Sequence, residues 1–217
     1  MKYSIVVTIC LLFTFNQLVI GQPNQKKAEE ILEAISKKYK SFTSYKAKFT
    51  YTIENANSNV KEQLNGEITV KGEKFKLDLS GQEIINNGTT VWTYLKEENE
   101  VTISKNENNP DVITPSTIHL EYKKGYSYQF IEEIKEGKSV LEVIELVPQK
   151  KGSATTKIKL FANKKDKTIK RWILFERNGT QYNYTITQFT PNTTLADSFF
   201  SFDKAAHKGV EVVDLQD

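Results

Sequence analysis

From Tyr45 to Ile53 apolar and polar side chains alternate without a break. Tyr45, Ala47, Phe49, Tyr51 and Ile53 fall on one parity, Lys46, Lys48, Thr50 and Thr52 on the other. A two-residue period belongs to a β-strand with one buried and one wet face. The same rhythm returns where Phe75, Leu77 and Leu79 alternate with Lys74, Lys76 and Asp78. Gly72, Gly81 and the Asn87-Gly88 pair interrupt these runs every several residues, where tight reversals call for positive φ. The stretch from Leu64 to Tyr94 is therefore predicted to be a meander of short antiparallel strands. One segment keeps a different period. Ala28, Ile31, Leu32, Ile35 and Tyr39 recur at spacings of three and four, with Lys and Glu between them, which predicts an amphipathic helix over Gln25–Lys40. That helix is too short to stand alone in water, so its apolar stripe must dock on the sheet.

The rest of the chain extends this pattern. A strand is expected over about Val60–Lys71, after a polar loop from Asn55 to Asn59, and Glu100–Ser104 closes the first meander. Asn106–Ser116 is polar, carries Pro110 and Pro115, and reads as a loop. Thr117–Lys124 reads as a short helical turn presenting Ile118 and Leu120. Strands resume at Tyr126–Ile134, Lys138–Val147, Thr155–Phe161, Thr168–Glu176 and Gln181–Thr190, with turns at Glu136-Gly137, Lys151-Gly152, Lys164–Lys167 and Asn178-Gly179. The expectation is a mainly β (α+β) protein of about eleven strands, one N-terminal helix and a short helical segment midway. A sheet of that many strands curls into a barrel or splits. We expect one curved antiparallel sheet wrapping the Gln25–Lys40 helix.

The first residues stand apart. Met1-Lys2-Tyr3 gives a short basic start, Ser4–Phe15 an apolar run, and Val19-Ile20-Gly21 residues suited to a cut before Gln22. This is the layout of a secretory signal over residues 1–21. The apolar run is broken by Asn16 and Gln17 and is shorter than a bilayer span, which favours cleavage over anchoring. The mature domain, residues 22–217, is expected free in the periplasm. Cys10, the only cysteine, lies inside the apolar run and not at its end, where a lipid-attachment cysteine would sit. The mature domain then has no disulfide or thiolate chemistry. Asn-x-Thr triplets begin at Asn87, Asn178, Asn183 and Asn192, three of them in or beside predicted strands and turns that favour Asn and Thr anyway. Charged residues are 26% of the chain, with Lys and Glu interspersed and a net charge of +3. That is a solvated surface and not a nucleic-acid footprint.

Catalytic chemistry is hard to find. His119 and His207 are the only histidines, no Gly-x-Ser-x-Gly elbow occurs, and no His, Cys or carboxylate cluster has zinc spacing. Gly137-Lys138-Ser139 ends like a phosphate loop, but Glu132 stands where the first glycine belongs, so the run reads as a hairpin turn. The expectation is a protein without catalytic residues, metal or cofactor. The alternative is an extracytoplasmic hydrolase or isomerase whose polar site the sequence does not reveal.

An ordered series of segments gives more. Ser44-Tyr45-Lys46-Ala47-Lys48-Phe49-Thr50, Gly66-Glu67-Ile68-Thr69-Val70-Lys71 and Asn87-Gly88-Thr89-Thr90-Val91-Trp92-Thr93-Tyr94 come first. Arg171-Trp172, Asn178-Gly179-Thr180-Gln181-Tyr182, Phe189-Thr190-Pro191-Asn192, Phe199-Phe200-Ser201-Phe202-Asp203 and Gly209-Val210-Glu211-Val212-Val213-Asp214 follow. In this order they resemble the periplasmic outer-membrane lipoprotein carriers over nearly the whole mature chain. The resemblance implies an incomplete antiparallel β-barrel capped by helices around a hydrophobic cavity. It also implies a monomer that takes acylated lipoproteins from an ATP-driven transporter in the inner membrane and hands them to an outer-membrane acceptor. Receptors and stress sensors of the same fold are the related alternative. One departure stands out. The typical carrier has an Arg-Pro pair after Val-Lys, whose arginine ties the lid closed; here Gly72-Glu73 occupies those positions.

An inward apolar face serves equally as packed core or as cavity wall. The resemblance favours the wall. It makes Phe49, Tyr51, Ile68, Val70, Phe75, Leu77, Leu79, Trp92 and Tyr94 the expected lining, beneath a lid made by the first helix and by Ile118 and Leu120 of the Thr117–Lys124 segment. Acyl chains need such a dry wall, each methylene withdrawn from water being worth about 0.8 kcal/mol.

Overall fold

The computed structural model describes residues 22–55, 57–58, 60–107 and 125–216. The expected export segment with Cys10, most of the Asn106–Ser116 loop, and the Thr117–Lys124 turn with Ile118, His119 and Leu120 lie outside the described residues. One helix, α1 (Gln22–Lys40), precedes twelve strands. These are β1 (Tyr45–Asn55), β2 (Val60–Lys71), β3 (Lys74–Leu79), β4 (Gln82–Asn86), β5 (Thr90–Leu95), β6 (Glu100–Lys105), β7 (Tyr126–Glu136), β8 (Ser139–Pro148), β9 (Thr155–Asn163), β10 (Ile169–Glu176), β11 (Thr180–Pro191) and β12 (Glu211–Asp214).

All twelve strands join one sheet in the order β12-β6-β5-β4-β3-β2-β1-β11-β10-β9-β8-β7, with β12 and β7 at its edges among the described residues. The first strand therefore stands in the middle, paired on one side with β2 and on the other with β11. Two meanders run outward from it. Every pairing is antiparallel except β12 with β6, which is parallel. The eleven expected strands are present. The twelfth, four residues long, is too short to show a period, and its parallel pairing is the one exception to the expected antiparallel sheet.

The sheet curls for a reason that can be stated in lengths. Twelve strands spaced about 4.8 Å apart would lie more than about 50 Å across if flat. Yet residues from β1, β2, β8, β9 and β10 share one buried cluster with Ala28, Ile31, Leu32, Ile35 and Tyr39 of α1. A single helix about 10 Å across can touch all of these only if the sheet wraps it. The expected wrapping of the helix is thus found, in an open half-barrel.

Helix α1 is fastened at both ends. Near its start Lys27 reaches Glu133 of β7 at 3.3 Å and lies 3.6 Å above the Phe130 ring. Glu133 is held in turn by Lys164 at 2.7 Å. Near its end the Tyr39 hydroxyl accepts a bond from the Ile169 amide at 3.1 Å, and Tyr39 packs against Phe42, Tyr45 and Phe189 at ring separations of 5.6–5.8 Å. Both fastenings lie on the half of the sheet from β1 to β7. The helix is committed to that half.

The other half is braced from outside. Val101 of β6 and Tyr94 of β5 are buried with Val210, and Trp92 and Phe202 pack against them. The His207 ring stacks on Phe202 at 4.4 Å and meets Tyr94 edge-on at 4.6 Å. The one described histidine is therefore part of an aromatic packing unit. A second fastening joins the segment after β11 to the β2–β3 hairpin: Asp197 receives Lys71 at 2.8 Å and Lys74 at 3.0 Å. Hydrogen bonds from these two lysines hold the Asp197 carboxyl down at about 2.

Candidate functional site

The register decides which side chains share a face. Ala47 pairs with Ile68, Ile68 with Leu77, Leu77 with Ile84, and Ile84 with Thr93. Directly paired residues point to the same side of a sheet. Phe49, Ile68, Val70, Phe75, Leu77 and Leu79 accordingly lie on the inner face, the side that packs on α1, and Tyr51 joins them. Seven of the nine described candidates are brought together.

Trp92 and Tyr94 are not. Trp92 pairs with Ile85 and Tyr94 with Glu83, one residue off the inner parity, so both project from the outer face. There they pack under the C-terminal segment, apart from the inner cluster. Their expected place in the inner wall is corrected by the strand register. On β5 the inner positions are Val91, Thr93 and Leu95. Ile118 and Leu120 lie outside the described residues.

Burial divides the seven further. Phe49, Ile68 and Val70 are at most 5% exposed and belong to the sealed core with α1. Gly66 explains how close that packing is. A Cβ there would come against the Phe49 ring with no room to spare, so the bare backbone of β2 is what lets the ring lie flat against it. Phe75, Leu77, Leu79 and Tyr51 are only half-buried, as are Ile84, Val91 and Leu95 beyond them. The inner face is thus closed near β1 and β2 and half-open over β3 to β5, on the half of the sheet to which α1 is not fastened. This half-open apolar strip is the candidate site.

Aromatic rings continue the strip along β1 and β11. Trp172 stacks on Tyr184 at 4.8 Å and 9°, Tyr184 lies 4.6 Å from Tyr51, and Tyr51 is parallel to Tyr182 at 6.1 Å. The Tyr184 and Tyr51 hydroxyls share a hydrogen bond, and Tyr182 donates to Glu176. Burial pushes the hydroxyl pKa of all three tyrosines up. Three buried polar atoms have no partner among the described residues: Tyr45 Oη, Trp172 Nε1 and Thr193 Oγ1. Sequence reasoning missed Tyr182, Tyr184 and Ile84. Their signal was the pairing register, which puts Tyr184 opposite Tyr51 and Ile84 opposite Leu77.

Gly72 and Glu73 form the exposed two-residue turn between β2 and β3. Gly72 has φ of 60° while Glu73 keeps negative φ, the arrangement of a type II′ hairpin. The flanking Lys71 and Lys74 make the ionic contacts here, with Asp197. Among the described residues no group of three His, Cys, Asp or Glu could hold a metal ion. A surface cleft of about 410 Å³ lies between the β8–β9 and β10–β11 turns, lined by Gly152, Ser153, Ala154, Glu176, Arg177 and Asn178. It contains none of the candidate apolar residues.

Comparison with known proteins bears on the whole of this arrangement. The family model described as outer membrane lipoprotein carrier protein LolA matches residues 40–203. No protein of curated function matches the chain. Among solved structures, an uncharacterised conserved protein of Thermus thermophilus is 16% identical with a TM-score of 0.58, covering 86% of this chain and 98% of that one. A putative outer membrane lipoprotein-sorting protein domain of Vibrio parahaemolyticus is 15% identical with a TM-score of 0.48, covering 85% and 100%. A LolA superfamily protein of Nitrosomonas europaea is 12% identical with a TM-score of 0.45, covering 82% and 98%. The Thermus likeness supports the shared fold.

Proposed function

This chain belongs to the LolA family of outer membrane lipoprotein carrier proteins, and on that premise we propose that it is a periplasmic carrier binding the acyl chains of lipoproteins. It receives them from an ATP-driven transporter of the inner membrane and delivers them to an outer-membrane acceptor. The observation that supports this reading is the gradient of burial across the inner face. Phe75, Leu77, Leu79 and Ile84 form an apolar strip that is only half-buried. A site of this kind suits a cargo that must be taken up and released. A sealed core would hold acyl chains too tightly, whereas a half-buried strip gives each buried methylene about 0.8 kcal/mol and leaves the exchange reversible.

Gly72-Glu73 cannot supply the arginine that ties the lid in typical carriers. We expect closure over the strip to be looser here, with the Lys71–Asp197–Lys74 contact holding the hairpin to the C-terminal segment instead.

The test is native mass spectrometry of the protein purified from its own cell envelope without detergent washing. The reading predicts mature protein beginning near Gln22 and carrying a triacylated or diacylated polypeptide. Protein recovered bare under conditions that preserve other lipid complexes overturns it. Recovery with free lipid only favours the related lipid-binding or sensor role.

A further inference from the structure

Positive charge is gathered on one rim of the half-barrel. Strand directions put the end of α1, the β7–β8 turn at Gly137 and the β9–β10 turn over Lys164–Lys167 on the same rim. Two hydrogen bonds draw the three together. The Ile169 amide donates to the Tyr39 hydroxyl at 3.1 Å, and the Lys164 amide to the Val140 carbonyl at 2.9 Å. Lys37, Lys38 and Lys40 come from the helix, and Lys135 and Lys138 flank the first turn. Lys164, Lys165, Lys167, Lys170 and Arg171 come from the second turn and the start of β10.

Fewer carboxylates answer them. Glu133 takes Lys164, Glu142 takes Lys167, Glu136 takes Arg171, and Asp166 accepts from the Thr168 amide of its own turn. Lys37, Lys40, Lys135, Lys138 and Lys165 are exposed and have no ion pair among the described residues. The surplus on this rim exceeds the +3 of the entire chain, so the remainder of the molecule is acidic on balance. Lysines in a last helical turn offset the helix dipole, which accounts for those of α1 but not for those of the two turns. Solubility is served by interspersed charge and does not call for cations on one side.

The make-up of the patch narrows its partner. A protein interface centres on buried aromatic and aliphatic anchors. Here Val140 is the one exposed large apolar side chain among the described residues of the rim. The unpaired cations are all lysine, point charges on flexible stems that lack the fixed fork with which arginine matches a single carboxylate or phosphate. A fluid array of phosphates asks for no register and suits them.

We propose that this rim docks the protein on the surface of an anionic phospholipid bilayer, with its lysines among the lipid phosphates. The rim belongs to the β7–β10 half and the helix end, away from the apolar strip of β3 to β5, so the proposal does not depend on the carrier reading.

The test is cosedimentation of the mature chain with vesicles of phosphatidylcholine alone, or of equal parts phosphatidylcholine and phosphatidylglycerol. Wild type should bind the anionic vesicles, ignore the neutral ones and be released as salt is raised. Lys40→Gln, Lys138→Gln and Lys165→Gln together should weaken that binding about 100-fold, since each lysine held near an anionic surface contributes to it. Lys151→Gln, Lys204→Gln and Lys208→Gln, exposed lysines away from this rim, give the same net charge and should bind as wild type does. A thermal melt should show both variants folded. Equal losses in the two variants would assign the effect to overall charge, and equal binding of wild type to both vesicles would assign it to an apolar face. Binding to polyglutamate but to neither vesicle would give the rim to an acidic protein. Each of these results overturns the proposal, as does no binding at all, and each leaves the carrier reading standing.

Discussion

Leu77→Glu should abolish retention of acyl ligands while the protein still folds. Leu77 is half-buried in the middle of β3, between buried Ile68 and half-buried Ile84. In the empty protein the new carboxylate can lean toward water, so the melting temperature falls by no more than an ordinary surface-strand change would cause. With an acyl chain laid over the strip, the same carboxylate loses its water and finds no cation among the described inner positions of β2 to β5. Burying an unpaired charge costs several kcal/mol, which is at least about 100-fold in affinity. Lipid retention measured beside a thermal melt separates the outcomes. A folded variant that binds as well as wild type would remove the carrier function from this face.

Phe49→Ala should act in the opposite way, costing about 3–5 kcal/mol of stability. Its ring is 2% exposed, lies in the sealed cluster with α1, and rests on the backbone of Gly66. Gly66→Ala alone should also destabilise, by about 1–3 kcal/mol, because the added methyl meets the ring. Combined, the two changes should not add. Once the ring is gone the added methyl at position 66 occupies part of the space it leaves, so Gly66→Ala becomes neutral or stabilising in the Phe49→Ala background. Denaturant unfolding of the four proteins gives the cycle. Additive losses would mean that Phe49 and Gly66 do not share the contact.

These two residues, both counted from sequence on one inward parity or beside it, show how far pattern reading reaches. Alternation from Tyr45 to Ile53 and from Lys74 to Leu79 located β1 and β3 and their inner sides, because a two-residue period is set by backbone geometry alone. The helix was visible for a similar reason. What alternation does not carry from strand to strand is parity, which passes through the turns. The Ser80-Gly81 turn pairs Leu79 with Gln82 and so Leu77 with Ile84. The next turn pairs Asn86 with Val91. Counting across both turns puts Trp92 and Tyr94 on the outer side, and a tight two-residue reversal at Asn87-Gly88 would have given the same parity. That information was in the chain. The carrier resemblance, which makes Trp92 and Tyr94 part of the lining, does not carry it.

Other features were not legible at all. Whether Phe49 is sealed and Leu77 half-open depends on where α1 is fastened, through Lys27 to Glu133 and Tyr39 to Ile169, contacts that join residues more than 100 positions apart. The C-terminal brace is similar: Val210 and Phe202 look like any short apolar positions until β12 pairs with β6 and lays them over Tyr94 and Val101. The aromatic stack was half visible. Tyr51 stood on the inner parity from the start, while Tyr182 and Tyr184 joined it only through the pairing of β1 with β11.

The central claim is that acyl chains lie on the half-open inner strip of β3 to β5, and photo-crosslinking reads it directly. A photoreactive phenylalanine derivative is placed at Leu77 in one protein and at Val147 in another, the latter an exposed apolar position on the outer face. Both are expressed in the native envelope and irradiated. The account predicts adducts with acylated lipoproteins from position 77 and none above background from position 147. Equal yields from the two positions, or adducts from position 147 alone, would contradict it.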